Sequence, residues 1–389
     1  MKEFLEGSRT VARTVRLCRP GVIAAYPITP QTHIVEDLAQ MVADGELDSQ
    51  FINVESEHSA ASVVLGAVAA GVRAFSATSS QGLLLMAEVI FNIAGMRLPL
   101  VIVNANRAVS APINIWNDHQ DSVTVRDAGI LQFYAENNQE VADLVLLAYR
   151  VGEDPKISLP ALVCMDGYIL THGHEVVDIP EQKQVDKFLP EFQPVVKLDP
   201  ENPETMGYLG TPEIYMETRY ALQETMLEAL EVITSASQEF ERIFGRALPP
   251  FYEAYKLEDA ERAIVAMGSV AGTIKEVVDE MRQEGQKVGL LKLITYRPFP
   301  ADALYEALEN VPEIAVLEKA ISMGAFGPVY TDLKASFQGK EAAPKISGFV
   351  IGLGGRDVSK DSIRRVFEEL RGPQTPAKFM DVKTELVTA

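Results

Sequence analysis

Two residue types are nearly missing from this chain of 389 residues, which has 2 cysteines and 1 tryptophan. Cys18 and Cys164 stand far apart in sequence. They supply neither the four ligands of an iron–sulfur cluster nor a cysteine-type zinc site. The scarcity fits a reducing compartment, and a cytoplasmic location is expected. Positive charge is also short. Lys and Arg number 35 against 55 Asp and Glu, and a net charge of -20 repels nucleic acid and anionic membranes. No uncharged apolar run reaches the ~18 residues of a membrane span. The start, Met1-Lys2-Glu3-Phe4-Leu5-Glu6, has acids where a signal peptide has bases and then an apolar block, so export is not expected. No Walker loop, HExxH or GxSxG is present.

What is there is a globular composition, 47% hydrophobic, in a chain long enough for two domains. From residue 21 to about 166, short apolar runs (21–26, 51–54, 72–77, 98–104, 130–135, 161–165) alternate with helix-like segments (34–43, 60–71, 82–96, 122–127, 138–153). That alternation predicts an α/β fold, a parallel sheet with helices on both faces and ligands at the carboxyl ends of its strands. Residues 172–212 carry six prolines and little periodicity, and predict an extended arm or an irregular surface loop. A long amphipathic helix is expected over 212–244, with Leu222, Met226, Leu230, Ile233, Phe240 and Phe244 on one stripe. Beyond Pro249-Pro250, strands at 262–267, 287–294, 313–317 and 346–351 and helices at 272–284 and 300–310 predict a smaller α/β domain. The expected division is 1–171, 172–256 and 257–389.

The notable side chains fall after strands. Glu57 lies in Val54-Glu55-Ser56-Glu57-His58-Ser59, ahead of a small-residue helix. A carboxyl among Ala, Val, Leu and Gly loses hydration, which disfavours its charge. Such a group passes a proton to a ring nitrogen and takes it back, as thiamin diphosphate requires at its aminopyrimidine ring. The plain alternative is a helix cap. In Tyr26-Pro27-Ile28-Thr29-Pro30, two prolines fix the backbone around Thr29, which holds a hydroxyl rigidly or makes a stiff turn. Arg107, after an apolar strand, suits bidentate capture of a carboxylate; the alternatives are a surface arginine or an ion-pair partner. Ser79-Ser80-Gln81-Gly82 opens an apolar helix, with capping as the expected role and close backbone approach to a ligand as the second. In Asn117-Asp118-His119-Gln120-Asp121 the spacing matches no metal site; a cap by Asp121 and a loop near the active site are expected. His33, His58, His172 and His174 share no ligand arrangement. Gly352-Leu353-Gly354-Gly355-Arg356-Asp357 follows a strand, but its sixth position is Asp357, so a turn is expected and not a dinucleotide fingerprint.

These segments, together with Thr78 to Met86, Asn106-Arg107-Ala108, Asn114-Ile115-Trp116 and the later Asp166-Gly167-Tyr168 and Tyr296-Arg297-Pro298-Phe299-Pro300, stand in the order seen in 2-oxoacid:ferredoxin oxidoreductases. The chain resembles the alpha subunit of that family, the pyruvate:ferredoxin oxidoreductase (pyruvate synthase) family, over nearly its whole length. The resemblance implies a thiamin diphosphate-binding (pyrimidine-type) parallel sheet domain and a smaller transketolase C-terminal-like α/β domain. It implies that Glu57 contacts the aminopyrimidine, with Pro27, Ser80 and Gln81 beside the cofactor. Thr29 and Arg107 take the carboxylate and carbonyl side of a 2-oxoacid, and Asn117, Asp118 and His119 belong to the substrate pocket. No metal is implied in this chain. A beta subunit binds the diphosphate with Mg2+ and holds a 4Fe–4S cluster; gamma and ferredoxin-like delta subunits, ferredoxin and coenzyme A complete the system. Many relatives carry glycine where Asn117 stands, which opens the choice of 2-oxoacid. Pyruvate is the first expectation. Branched-chain 2-oxoisovalerate and aryl phenylglyoxylate are the alternatives. The rival reading is a non-catalytic assembly subunit that holds its partners with the proline-rich arm.

Overall fold

The computed structural model describes residues 2–387. In chain order the elements are β1 (Lys2–Glu6), α1 (Gly7–Cys18), β2 (Val22–Ala25), α2 (Thr32–Ala43), β3 (Gln50–Asn53), α3 (Glu57–Ala69), β4 (Ala74–Thr78), α4 (Gln81–Gly95), β5 (Val101–Asn106), α5 (Gln120–Thr124), β6 (Leu131–Tyr134), α6 (Asn138–Gly152) and β7 (Ala161–Asp166). Then come β8 (His174–Asp178), α7 (Gln182–Phe188) and α8 (Pro212–Phe244). The last third holds β9 (Tyr252–Tyr255), β10 (Arg262–Met267), α9 (Val270–Gln283), β11 (Val288–Leu293), β12 (Thr295–Arg297), α10 (Ala301–Leu308), β13 (Glu313–Glu318), α11 (Pro328–Ser336), β14 (Lys345–Val350), α12 (Lys360–Glu369) and β15 (Lys378–Phe379).

The first sheet has the order β12-β6-β7-β5-β4-β2-β3, with every pair parallel except β12 on β6. Its strands β4, β5, β6 and β7 are buried along their whole length, as expected of apolar runs covered on both faces. The second sheet, β15-β14-β13-β10-β11-β9, is parallel except for β9. One apolar cluster joins Ile102, Leu162 and Tyr296 of the first sheet to Leu291 and Leu293 of the second, so the two sheets share a core. No helix among the described residues is long and apolar enough to cross a membrane.

The long helix falls where its pattern placed it. Pro212 opens α8, Gly245 ends it at φ 72°, and Leu222, Met226, Ile233 and Phe240 are buried. The arm differs from expectation. Residues 174–178 form β8, antiparallel to β1, and α7 packs Phe188 edge-on against Phe240 and Phe244. The stretch after α7 lies on its own domain, with the Leu198 N–H on the Ala69 carbonyl at 2.7 Å and the Pro190 carbonyl held by Arg73 at 2.8 Å. Prolines exclude long helices but not a short strand zipped onto β1. Tyr296-Arg297 also moves: as β12 it leaves the second sheet and adds to the edge of the first.

Candidate active site

Strand β2 connects outward to β3, whereas its neighbour β4 connects the other way, to β5. The crevice outside such a reversal is the usual ligand site of a parallel sheet. The Gln31 amide spans it, donating to the Ala77 carbonyl at 2.7 Å. Thr29 and Pro27 follow β2 and are exposed, and the Thr29–Pro30 bond is cis. Glu57 is the first residue of α3, 7% exposed, behind the N-cap Ser56, whose hydroxyl accepts from Ser59 N–H at 3.3 Å. Capping therefore belongs to Ser56. Among the described residues no donor reaches the Glu57 carboxylate.

Gly82 makes room for it. A Cβ there would lie 2.7 Å from Glu57 Oε1 and 2.6 Å from Thr78 Oγ1. The Thr78 hydroxyl is buried without a partner. Ser80, expected to cap α4, makes no capping bond. It sits at φ 51°, gives its hydroxyl to the Ala108 carbonyl at 2.5 Å and its N–H to Asp121 Oδ2 at 2.9 Å. A non-glycine residue at positive φ is held there by its surroundings.

Arg107 is neither a surface arginine nor an ion-pair partner. Its Nε donates to the Asn114 carbonyl and its Nη1 to the Thr29 carbonyl, both at 2.9 Å, and among the described residues no carboxylate pairs with its guanidinium. Burial pushes its pKa down, yet an arginine stays charged. A fixed, unpaired cation beside Thr29 is a ready anchor for a small carboxylate. Asp121 corrects the expected cap. Fully buried in α5, it accepts from Ser80 N–H, Arg107 N–H, Asn104 Nδ2, Asn106 Nδ2 and Ser122 N–H at 2.7–3.1 Å. It ties the loops after β4 and β5 together.

Asn117, Asp118 and His119 are buried where the first sheet meets the second domain. Lys319, just past β13, donates to Asn117 Oδ1 at 2.7 Å and to Asp166 Oδ2 at 3.0 Å. His119 Nε2 lies 2.7 Å from Asp166 Oδ1, and Ser269 gives its hydroxyl to Asp166 at 2.5 Å. The Lys319 ammonium and His119 beside Asp166 hold its carboxyl well below the usual carboxylate range, against the effect of burial. Asp118 accepts Gln120 N–H and Gly354 N–H at 3.0 Å each, while burial pushes it up to about 6. The expected pocket residues thus build the seam behind Arg107. Lys319 and Ser269 carry no local signal in sequence; only the docking of the two sheets brings them here.

Gly352–Gly355 is a turn, as expected, and it closes this seam. The Gly354 carbonyl accepts from Asn114 Nδ2 at 3.0 Å, and Gly355 N–H donates to the Asn117 carbonyl at 2.6 Å. Two of the histidines correct the expectation of no shared arrangement. His33 Nδ1 is 2.7 Å from Glu6 Oε1, its ring centroid is 5.0 Å from that of His172, and the donor atoms of all three residues lie within 4.8 Å of one another. The Glu6 hydrogen bond raises the His33 pKa, as in an ordinary ion pair.

Residues 13–238 match the family described as pyruvate flavodoxin/ferredoxin oxidoreductase, thiamine diphosphate-binding, and residues 260–363 match pyruvate:ferredoxin oxidoreductase core domain II. The pyruvate synthase subunit PorA of Methanothermobacter thermautotrophicus is 48% identical over 98% of this chain and 99% of its own. That of Pyrococcus furiosus is 50% identical over 95% and 93%. The ketoisovalerate oxidoreductase subunit VorA of Pyrococcus horikoshii is 44% identical over 95% and 94%. Among solved structures, 2-oxoglutarate:ferredoxin oxidoreductase from Magnetococcus marinus superposes with a TM-score of 0.67 at 18% identity, over 95% of this chain and 65% of that chain. An inactive split-gene transketolase tetramer superposes at 0.55 and 13%, over 95% and 98%. These two likenesses concern the fold alone.

Proposed function

The chain belongs to the pyruvate flavodoxin/ferredoxin oxidoreductase family, and on that premise we propose that it is the subunit of a ferredoxin-dependent 2-oxoacid oxidoreductase that binds the 2-oxoacid and the pyrimidine side of thiamin diphosphate. The reaction is the reversible, coenzyme A-dependent oxidative decarboxylation of a 2-oxoacid, with pyruvate as the substrate. The observation that carries this reading is the set of three groups on one sheet edge: the unpaired Arg107 guanidinium, the exposed Thr29 and the undonated Glu57 carboxylate.

The residues present fit the cofactor's pyrimidine ring. Glu57 and Thr78 are polar, buried and without partners, and Gly82 leaves a cradle that a side chain would fill. When bound, thiamin diphosphate supplies the carbon nucleophile that attacks the substrate carbonyl. Glu57 holds and returns a proton at a ring nitrogen. Arg107 offsets the substrate carboxylate, and Thr29 donates to the oxygen that gains charge. Pro27, Ser80 and Gln81 would help to hold the ring, with Ser80 fixed by Asp121. Asn117, Asp118 and His119 set the back wall through their bonds to Lys319, Gly354 and Asp166.

Partner subunits complete the enzyme. A beta subunit holds the diphosphate, Mg2+ and a 4Fe–4S cluster, and gamma and delta subunits pass electrons to ferredoxin. This chain brings no cluster ligands, for Cys18 and Cys164 are buried in different apolar clusters, and burial pushes both thiols up. Such a complex works in the cytoplasm. A branched-chain 2-oxoacid is the second reading, favoured by the 44% identity to a ketoisovalerate oxidoreductase subunit.

The test is coenzyme A-dependent viologen reduction by the anaerobically purified complex over a panel of 2-oxoacids, with two variants. Pyruvate is expected to give the highest kcat/KM. Glu57→Ala is expected to lower kcat by about a hundred- to ten-thousand-fold in a folded chain. Arg107→Ala is expected to raise KM for the 2-oxoacid about ten- to a hundredfold. Wild-type turnover in both variants overturns the assignment.

A further inference from the structure

The Thr78 hydroxyl is among the polar groups that fit the ring but has no step in the chemistry proposed for the site, and its placement is unusual. Thr78 ends β4 at the reversal of the sheet, is fully buried, and its Oγ1 has no hydrogen-bond partner. Buried hydroxyls are nearly always paired, because an orphan forfeits its hydration for nothing. Beside it stands Glu57, buried as a residue at 7% exposure. Its carboxylate accepts no hydrogen bond among the described residues, and Oε1 lies on the same side of Gly82 as Thr78 Oγ1. Both oxygens are within 2.7 Å of the point where a Cβ of Gly82 would stand, so the missing side chain is what lets them approach. No hydrogen bond joins the two oxygens as they stand, and a turn of the Glu57 side chain toward Thr78 would give the hydroxyl its acceptor.

We infer that Thr78 is a positioning residue for Glu57: its hydroxyl donates to Oε1 and leaves Oε2 as the oxygen that exchanges the proton. The inference rests on the reading of Glu57 as the proton-moving carboxyl. A hydroxyl bonded to one oxygen stabilises the carboxylate form and fixes the plane of the group. Proton transfer needs that orientation, since a misaligned carboxyl loses rate even when its acidity is right. Gly82 belongs to the same device.

Thr78→Val keeps the shape and removes the hydroxyl; Thr78→Ser keeps the hydroxyl. The first readout needs no cofactor. In the full chain with 13C-labelled glutamate carboxyls, the Glu57 resonance, assigned by its loss in Glu57→Gln, is followed against pH. Thr78→Val is expected to move the Glu57 titration to higher pH by on the order of one unit, with Thr78→Ser close to wild type. In the assembled complex, kcat/KM against pH is expected to shift its acid limb the same way, again restored by serine.

An unchanged Glu57 titration and pH profile in Thr78→Val overturn the inference. So does a Thr78→Val chain that only melts higher, the result for a truly orphaned hydroxyl. If Thr78→Val does not fold, a Thr78→Ser chain with the wild-type titration and profile supports the inference, and one without them overturns it. Full turnover in Glu57→Ala sinks the underlying reading; loss of turnover there with an unaffected Thr78→Val sinks only the role of Thr78.

Discussion

Glu318 ends β13 with its carboxyl oxygens on the N–H groups of Val329 and Tyr330, at 2.8 and 2.9 Å. Those donors favour the charged form, but burial outweighs them and pushes the group up to about 8. An acid whose folded pKa is raised keeps its proton in the fold after the unfolded chain has released it. Stability then falls as pH rises from the ordinary carboxyl range through the folded value. Asp118, pushed up to about 6, acts the same way over a lower and narrower window. Glu318→Gln removes the titration. Across pH 5 to 8, the Tm of the variant relative to wild type is expected to climb. A gap constant with pH would show that the two backbone donors, and not burial, set the charge of this group. At the same scale, neither the arginine nor the glutamate of the candidate site pairs with an opposite charge among the described residues, and the Arg107 guanidinium is held by two backbone carbonyls instead.

Gly327, the N-cap of helix α11, has an extended conformation that any residue can adopt, so its need for glycine is spatial. A Cβ there would lie 1.8 Å from Glu318 Oε1, and that carboxyl is pinned by the helix's own first N–H groups. Gly327→Ala is expected to cost about 1–3 kcal/mol in urea unfolding. Because the clash is with one side chain, the cost should shrink in Gly327→Ala/Glu318→Ala relative to Glu318→Ala alone. Additive losses would place the strain elsewhere. Elements also differ in how openly they declare themselves. The α8 stripe is apolar and bounded by Pro212 and Gly245. Helix α1 turns Ser8, Thr10 and Thr14 inward, each hydroxyl bonded to a backbone carbonyl, Thr10 to Glu6 and Thr14 to Thr10. Buried hydroxyls of that kind thin the apolar stripe, which Val11, Ala12, Val15 and Leu17 still mark opposite Arg9, Arg13 and Arg16.

The two sheets are joined by charge as well as by the shared apolar cluster. Lys292 of β11 is 1% exposed, with Glu136 at 2.6 Å, Glu253 at 2.5 Å and Glu140 also in contact, and Lys275 reaches Glu136 at 2.7 Å. Glu136 and Glu140 come from the first sheet's side, Lys292 and Glu253 from the second. Removing the central cation leaves three partly buried carboxylates close together, with Lys275 as the cation that still reaches Glu136 and Glu253. Lys292→Ala is expected to destabilise the chain by about 3–5 kcal/mol at pH 7 in denaturant unfolding. The loss should be smaller near pH 4, where glutamates take up protons. A loss that does not depend on pH would mean that packing of the lysine stem, and not its charge, holds the seam.

By itself the sequence determined most of the strands and helices, because apolar runs of strand length and a helical stripe are local patterns. It also determined that Thr29, Glu57 and Arg107 follow strands, hence one sheet edge. Only the tertiary structure decided the partners. Asp121 looks like a cap in sequence, but the return of α5 onto β5 makes it a hub. What holds Asn117 and His119 in place has no local pattern: Lys319, 202 positions from Asn117, takes up their polar atoms through itself and Asp166. Residues 174–178, within the stretch 172–212 expected to be an arm or a surface loop, become a strand because β1 offers them one to pair with. In each case the decisive contact joins residues distant in sequence. A one-dimensional pattern fixes which face of an element is apolar, but long-range contacts form only when whole elements dock.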